Sequence, residues 1–346
     1  FLSRYVANDL SELDQQFLAS QGHSFERHGD ASFDAFVYRW VQRQHKASPL
    51  WYVILVPTLR CDLSCTYCQV SRAAKNARGF DWSQETLDDV LRFLDKLGSA
   101  CIKIEFQGGE PLLRLDLLSS VREFCRRRFS QSEFVVCTNL QSVSEEAWAF
   151  LSANDTYVST SLDGSAGRHN SNRTQDQRLQ QEFFANLSRA RGALDKGKLS
   201  ALPTIDPFDS PDFEELITAY EEYGMHSVFL RPVSHHGFAR RMGQRTGEVE
   251  AWNAFHRAFI EHLIKRNRNA EIPFQEYYFS HCLRRVLRPG IDGHVDLRNP
   301  ALLATDYLVI DYDGTLYPTD EARMLARIGH VDLSVGMREM DWTLSG

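Results

Sequence analysis

The chain has 346 residues, 43% hydrophobic and 25% charged, with a formal net charge of −7 and seven cysteines. This is enough chain for roughly two or three domains of ordinary globular composition, and the acidic balance argues against non-specific nucleic-acid binding. No apolar run reaches the roughly 18 residues of a membrane-spanning helix, and FLSRYVANDL lacks a secretory signal pattern.

Residues 1–48 read as an N-terminal appendage, with helical patterns from Asp9 to Ser20 and Ser32 to His45. It is a candidate contact for a leader peptide. The chain starts at Phe1 rather than Met, so its natural start can lie upstream. From Trp51 onward, strand and helix signals alternate. Trp51 to Val56 is the first strand, ended by Pro57. Asp81-Trp-Ser-Gln84 resembles a capping box and opens a helix with Leu87, Val90, Leu91, Leu94 and Leu97 on one face, stopped near Gly98. Cys101 to Phe106 is the second strand and runs into Gln107-Gly108-Gly109-Glu110-Pro111. A helix from Leu117 to Phe129 ends in Arg126-Arg127-Arg128, a favourable last turn. Phe134 to Thr138 is the third strand. Ser144 caps the next helix, and Tyr157 to Leu162 is the fourth strand, ending in Asp163-Gly164. A helix from Leu179 to Leu194 precedes strand five, Leu199 to Ile205. Ser210-Pro211 starts another helix, ended by Gly224, and Ser227 to Val233 is strand six.

Six strand–helix units in a row imply an α/β fold, a parallel sheet with right-handed crossovers curled into a partial (βα)6 barrel. Loops after the C-terminal ends of such strands carry function. After Val233, Glu248 to Lys265 and Gln275 to Leu287 read as helices. Leu308 to Ile310 and Thr315 to Tyr317 flank a hairpin turn, and a short helix follows near Asp320 to Ala326.

The loop after the first strand, PTLRCDLSCTYCQ, holds Cys61, Cys65 and Cys68 in a C-x3-C-x2-C spacing. Three thiolates this close can hold one metal centre. Closed zinc sites and iron–sulfur cubes normally use four ligands, so the missing fourth leaves one metal position open. An odd cysteine count without a disulfide framework points to a reducing cytoplasm.

These features resemble the radical S-adenosylmethionine (SAM) superfamily over about residues 50–235. The resemblance rests on the cysteine spacing with Tyr67 before the third Cys, on GGEP after the second strand, and on Ser161-Leu-Asp163-Gly164 after the fourth. It implies a [4Fe-4S] cluster on Cys61, Cys65 and Cys68, with SAM on the open iron as source of a 5′-deoxyadenosyl radical. Gln107, Gly108, Gly109 and Glu110 would approach the methionine part. Ser161 and Arg173 would bind its carboxylate. Asn139, Asp163, Leu230 and Arg231 would border the ribose and adenine, with Tyr67 against the adenine.

More narrowly, FQGGEPLL, SLDG…R and VIDYDGTLYPTDEARM resemble the SPASM-type maturases of ribosomally made peptides, most of all the maturase of the His-Xaa-Ser system. That resemblance implies a peptide-modifying oxidoreductase that joins an aromatic ring to an unactivated Cβ of a precursor peptide, a cyclophane. Its partners would be that peptide and a reductase or flavodoxin-type electron donor, with no nucleic acid and no membrane. The domains would be the extension at 1–48, the radical SAM core at 49–235 and a SPASM/twitch-like region at 236–346. The pattern departs late. Beyond Cys68 only Cys101, Cys125, Cys137 and Cys282 remain, scattered, and Thr319 stands where a hairpin cysteine is usual. Either the C-terminal part continues past Leu344-Ser-Gly, or the auxiliary Fe-S cluster is reduced or absent.

The alternatives are another radical SAM peptide modification (thioether formation or formylglycine-type oxidation) and a non-catalytic zinc-binding interaction module. Cys101, Cys125, Cys137 and Cys282 read as core residues. Leu308 to Leu316 matches the hhhDxDGTL nucleophile motif of haloacid-dehalogenase-type phosphatases, yet only 33 residues follow Asp313, so a hairpin turn is the better reading. Asp311, Asp313 and His235, which His236 follows, remain candidate catalytic bases.

Overall fold

The structure is a computed structural model that describes residues 4, 5, 7–20, 24, 31–45, 49–243, 245–287 and 301–336. The end at Leu344-Ser-Gly therefore lies outside the described residues. The core is a seven-stranded sheet of β1 (Tyr52–Leu55), β2 (Cys101–Phe106), β3 (Gln131–Cys137), β4 (Thr156–Ser161), β5 (Leu199–Leu202), β6 (Leu308–Ile310) and β7 (Leu316–Tyr317). Its order is β7-β6-β1-β2-β3-β4-β5. Every adjacent pair is parallel except the β6–β7 hairpin.

Alternation along the strands sorts the two faces. Ile102, Ile104 and Phe106 of β2 are buried under the helices, while Cys101, Lys103 and Glu105 are half-buried on the inner face. The outer face is covered by α3 (Gln84–Asp95), α4 (Leu115–Arg128), α5 (Glu145–Leu151) and α7 (Gln177–Ala193); α1 (Glu12–Ser20) and α2 (Ala31–His45) precede the sheet, and the polar α6 (Ala166–Arg173) lies between β4 and α7. Leu87, Val90 and Leu94 of α3 and Leu117, Leu118 and Val121 of α4 join Phe134 and Phe106 in one apolar core. The Phe106 and Phe134 rings stack with centroids 6.3 Å apart.

Several expectations change in detail. Ser83, not Asp81, caps α3, accepting from Thr86 N; Asp81 instead accepts from Thr58 Oγ1 and Arg60 Nε. Asp212 caps α8 (Phe213–Glu221), so Pro211 precedes the cap. Strand five stops at Leu202 because Pro203 has no N–H for the ladder. Thr204–Ile205 then pairs in parallel with Arg231–Pro232. Strand six is likewise broken, and Ser227–Val228 pairs with Gln275–Glu276, which takes the start from the predicted helix and leaves α10 as Tyr277–Leu287, after α9 at Glu248–Asn267. Helix α6 is unforeseen, since AGRHNSNR has no apolar stripe. No helix among the described residues is long and apolar enough to cross a membrane.

The C-terminal hairpin is present as expected, but it belongs to the main sheet. Strand β6 runs parallel to β1, with Val53 opposite Leu308 and Leu55 opposite Ile310. The sheet thus crosses the boundary expected at residue 235. Helix α11 (Asp320–Arg327), capped by Thr319 through Ala322 N, packs on the inner face. There Ala322 joins a buried cluster with Tyr52, Ile54, Val56, Tyr307, Val309 and Tyr317. Arg323 has no exposed surface; it reaches Asp320 at 2.8 Å and lies 3.7 Å from Asp311. Removing one partner of such a pair strands the other's charge in the interior. Arg323→Ala should therefore lower stability by about 3–5 kcal/mol, read from the urea unfolding midpoint. A loss below about 1 kcal/mol, the range of an exposed pair, would contradict the buried pairing.

Candidate active site

The cysteine loop leaves β1 at the C-terminal rim of the sheet. Residues Arg60–Cys61 form a two-residue parallel bridge with Ala73–Ala74, which folds the loop back on itself. The loop is tied at several points. Leu63 N lies 3.4 Å from Cys61 Sγ. Thr66 N donates to Asn172 O of α6 at 3.1 Å, and Phe238 N and Ala239 N both donate to Cys68 O. The three thiols are half-buried and none is in a disulfide. Burial, with Glu110 next, pushes the Cys61 thiol up to about 12. Burial also raises Cys65, against the pull of the Arg173 guanidinium.

The glycines of GGEP explain why the loop can sit there. Gly109 N donates to Thr58 O at 3.0 Å, and Glu110 N donates to Arg60 O at 2.8 Å. A Cβ on Gly109 would fall 2.2 Å from Arg60 O, and one on Gly108, whose φ is +130°, 2.2 Å from Thr58 O. Only glycine permits this approach of backbone to backbone. The sequence reading assigned that closeness to a ligand; the structure gives it to the cysteine loop.

Glu110 continues the connection. One oxygen accepts from Leu112 N at 3.0 Å and Thr138 Oγ1 at 2.9 Å; the other accepts from Asn139 N at 2.7 Å. Burial pushes its carboxyl up to about 7 despite these donors. Asn139 in turn points Nδ2 at Asp62 Oδ1, 2.7 Å away, and at Cys61 Sγ, 3.7 Å away. Strand ends β1, β2 and β3 are thereby joined into one rim.

A second set closes the rim from β4. Tyr67 Oη donates to Asp163 Oδ2 at 2.6 Å, and Arg173 donates to Tyr67 Oη at 3.1 Å. Asp163 also accepts from Asn172 Nδ2 and from Thr204 N. Burial works against the Arg173 charge, but Cys65, Tyr67 and Asp163 outweigh it and keep the guanidinium charged. Below it His169 stacks on Phe183 with centroids 4.1 Å apart. Of the remaining predicted contacts, Ser161 ends β4 half-buried, and Arg231 lies beside Thr204 in the short parallel bridge. Leu230 is buried, its N–H on Glu276.

The three candidate bases are committed elsewhere. His235 Nε2 lies 2.8 Å from Glu248. Asp311 is buried and faces Arg323, and Asp313 accepts from Thr315 N within the hairpin turn. Two residues, Cys137 and Glu105, carry no mark of a site in the sequence. Cys137, read as core, lies on the inner face and points its thiol at Glu105, 3.4 Å away. The strand period alone carried that signal: Phe134 and Val136 are buried outward, while Val135 and Cys137 are half-buried inward. Cys125 is core as expected, and Cys282 sits beside Tyr278 on α10.

Residues 55–220 match the family model of the radical SAM superfamily. The chain carries a radical SAM domain. It is a radical SAM enzyme, of the class that binds a [4Fe-4S] cluster and SAM. A protein of Methanocaldococcus jannaschii is 31% identical over 115 residues, 33% of this chain and 38% of that one. The cysteine-type anaerobic sulfatase-maturating enzyme of Clostridium perfringens is 25% identical over 301 residues, 79% of this chain and 74% of the enzyme. Among solved structures, native anSMEcpe with bound AdoMet and Kp18Cys peptide has a TM-score of 0.68 at 18% identity, covering 86% of this chain and 79% of its own. Streptococcus suis SuiB bound to precursor peptide SuiA has a TM-score of 0.56 at 14% identity, covering 95% and 76%. These likenesses establish the fold.

The residues present fit the cofactor of this class. Among the described residues no three Cys, His, Asp or Glu side chains converge on one ion. A cube suits thiols that each grip a different iron. Asp62 Oδ2, beside Cys61, is buried with no partner within the chain. Because the loop's seat depends on Gly109, Gly109→Ala should cut the iron bound after anaerobic reconstitution several-fold. Gly192→Ala, which meets nothing within 4 Å, should load like the parent. Equal loading of both variants would contradict this role for the backbone contact.

Proposed function

We propose that this enzyme modifies a ribosomally made precursor peptide, joining an aromatic ring to a Cβ of the same peptide. The observation that carries the reading is the rim itself: a three-thiol loop held by the β2, β3 and β4 loops over a half-buried, polar inner face. Support for a peptide comes from the fold neighbours, whose structures hold a peptide. Support for the ring-to-Cβ bond comes from the likeness of Val309 to Met324 to the cyclophane-forming maturases. The cytoplasm, and a flavodoxin-type reductase as electron donor, accompany this reading.

Cys61, Cys65 and Cys68 would hold a [4Fe-4S] cluster, which with SAM supplies a 5′-deoxyadenosyl radical able to remove a Cβ hydrogen. The chain's own residues orient and shield. Asn139 directs an N–H at the Cys61 sulfur, a contact that withdraws charge from a thiolate ligand. Arg173 offers a buried positive charge beside Cys65, suited to the SAM carboxylate. Asp163 holds Tyr67 in place and offers its second oxygen to Thr204 N. Glu110, with both oxygens occupied by its own chain, positions Asn139 and the loop. Ser161, Leu230 and Arg231 complete the proposed SAM surround.

A second reading, oxidation of a Cys or Ser to formylglycine, is favoured by the 79% coverage with the sulfatase-maturating enzyme. Both readings require SAM cleavage on the three cysteines. The Cys61→Ala/Cys65→Ala/Cys68→Ala variant should bind no cluster and form no 5′-deoxyadenosine under reduction, read by chromatography. Retained cleavage would overturn the assignment. With the precursor peptide encoded beside this chain, tandem mass spectrometry should show two hydrogens lost and fragmentation blocked between the joined residues. Unhindered fragmentation and a product that reacts with hydrazine, two hydrogens lighter at a Ser or with the sulfur also replaced by a water oxygen at a Cys, would select the formylglycine reading instead.

A further inference from the structure

Glu105 stands on the inner face of β2, half-buried, and none of the roles above uses it. Its carboxylate accepts from Tyr52 Oη at 2.5 Å on Oε2, from Gln107 Nε2 at 2.6 Å on Oε1, and from Cys137 Sγ at 3.4 Å on Oε1. All three donors are neutral. Lys103, the next inward residue, places its ammonium over the Tyr52 ring, 4.8 Å from the centroid. Among the described residues no Lys or Arg forms an ion pair with Glu105.

The surroundings concentrate this charge. Cys137 pairs across the sheet with Ser159, so thiol, amide and hydroxyl line one layer above Glu105. Burial, then Glu105 itself, keep the Cys137 thiol protonated and able to donate. Asp320 at the start of α11 faces the same thiol. The nearby buried cation, Arg323, is held by Asp320 and Asp311. Ile54, Val56 and Tyr317 belong to the buried apolar cluster that Ala322 of α11 joins.

A carboxylate offers about four acceptor positions. Three are filled, and the open one is on Oε2. A half-buried carboxylate with only neutral partners gains most from a charged donor, because ionised hydrogen bonds are roughly twice as strong as neutral ones.

We propose that Glu105 is a specificity-determining residue that receives a cationic side chain, lysine or arginine, of the peptide substrate on the inner face of the sheet. The inference rests on the reading that this face receives a peptide. Gln107 and Tyr52 hold the carboxylate in the orientation that leaves Oε2 open.

The test uses the full chain, reconstituted with iron, sulfide and SAM. The probes are N-acetyl-lysine and N-acetyl-arginine N-methylamides against their neutral isosteres norleucine and citrulline, with affinities read by saturation-transfer NMR titration. The cationic probes should bind about tenfold more tightly than the neutral ones. Glu105→Gln should abolish that ratio, and Glu105→Asp should retain part of it. Iron content and SAM affinity of each variant confirm that it has folded and loaded. Equal binding of lysine and norleucine probes by the parent, or an unchanged ratio in Glu105→Gln, overturns the inference. If the parent discriminates, and Glu105→Gln loses the ratio, but no peptide is converted, the cation-binding role of Glu105 stands and its assignment to a peptide substrate fails with the maturase reading. If the parent converts peptide without discriminating, the role of Glu105 fails and the maturase reading stands.

Discussion

The site depends on one close approach, the backbone of Gly108-Gly109-Glu110 lying against Thr58–Arg60. Two backbone hydrogen bonds, Gly109 N to Thr58 O and Glu110 N to Arg60 O, seat the cysteine loop on the neighbouring strand end. The Glu110 carboxylate then reaches Thr138 and Asn139, and Asn139 reaches Cys61. Four residues thus transmit the position of β2 and β3 to the first thiol. A metal-binding loop without a fourth ligand has little to fix it except such contacts, so the chain supplies them from the backbone.

Charge is distributed around this seat in a consistent way. Negative groups stand close to the thiols: Asp62, Glu110 and Asp163. Their compensation is one buried arginine, Arg173, charged through its acidic neighbours despite burial. Burial raises the Cys61 and Cys65 thiols in the ligand-free chain, because thiolates in a low-dielectric pocket need positive charge. A cationic cluster meets that requirement, and thiol deprotonation accompanies its binding. On the opposite side, the hairpin and α11 cover the β1–β6 part of the inner face with a second buried arginine, Arg323. One wall of the inner space therefore comes from a segment more than 200 residues along the chain from β1.

Much of this was legible in the sequence for identifiable reasons. The parallel sheet followed from alternating apolar runs and helix caps, and the rim residues followed from their place after strands. Residues whose role is set by tertiary contact were not legible. Pro203 and the broken strands five and six gave no periodic signal of their own. Helix α6 has no apolar stripe, yet it carries Arg173 to Tyr67. Strand β6 read as half of a hairpin, and nothing local says that it also pairs with β1. Cys137 and Glu105 differ from core neighbours only by the parity of their strands. Asp311 and Asp313 look chemical because Asp-x-Asp-Gly is also a turn sequence; Asp313 accepts within that turn, and Asp311 faces the buried Arg323.

The central claim is that the three cysteines leave one iron of a cube open to SAM. Electron paramagnetic resonance of the anaerobically reconstituted, dithionite-reduced protein tests it most directly. The account predicts a reduced [4Fe-4S] signal whose g-values shift when SAM is added, and loss of that signal in the triple cysteine variant. A signal indifferent to SAM, or a protein that takes up zinc and gives no cluster signal, would contradict it.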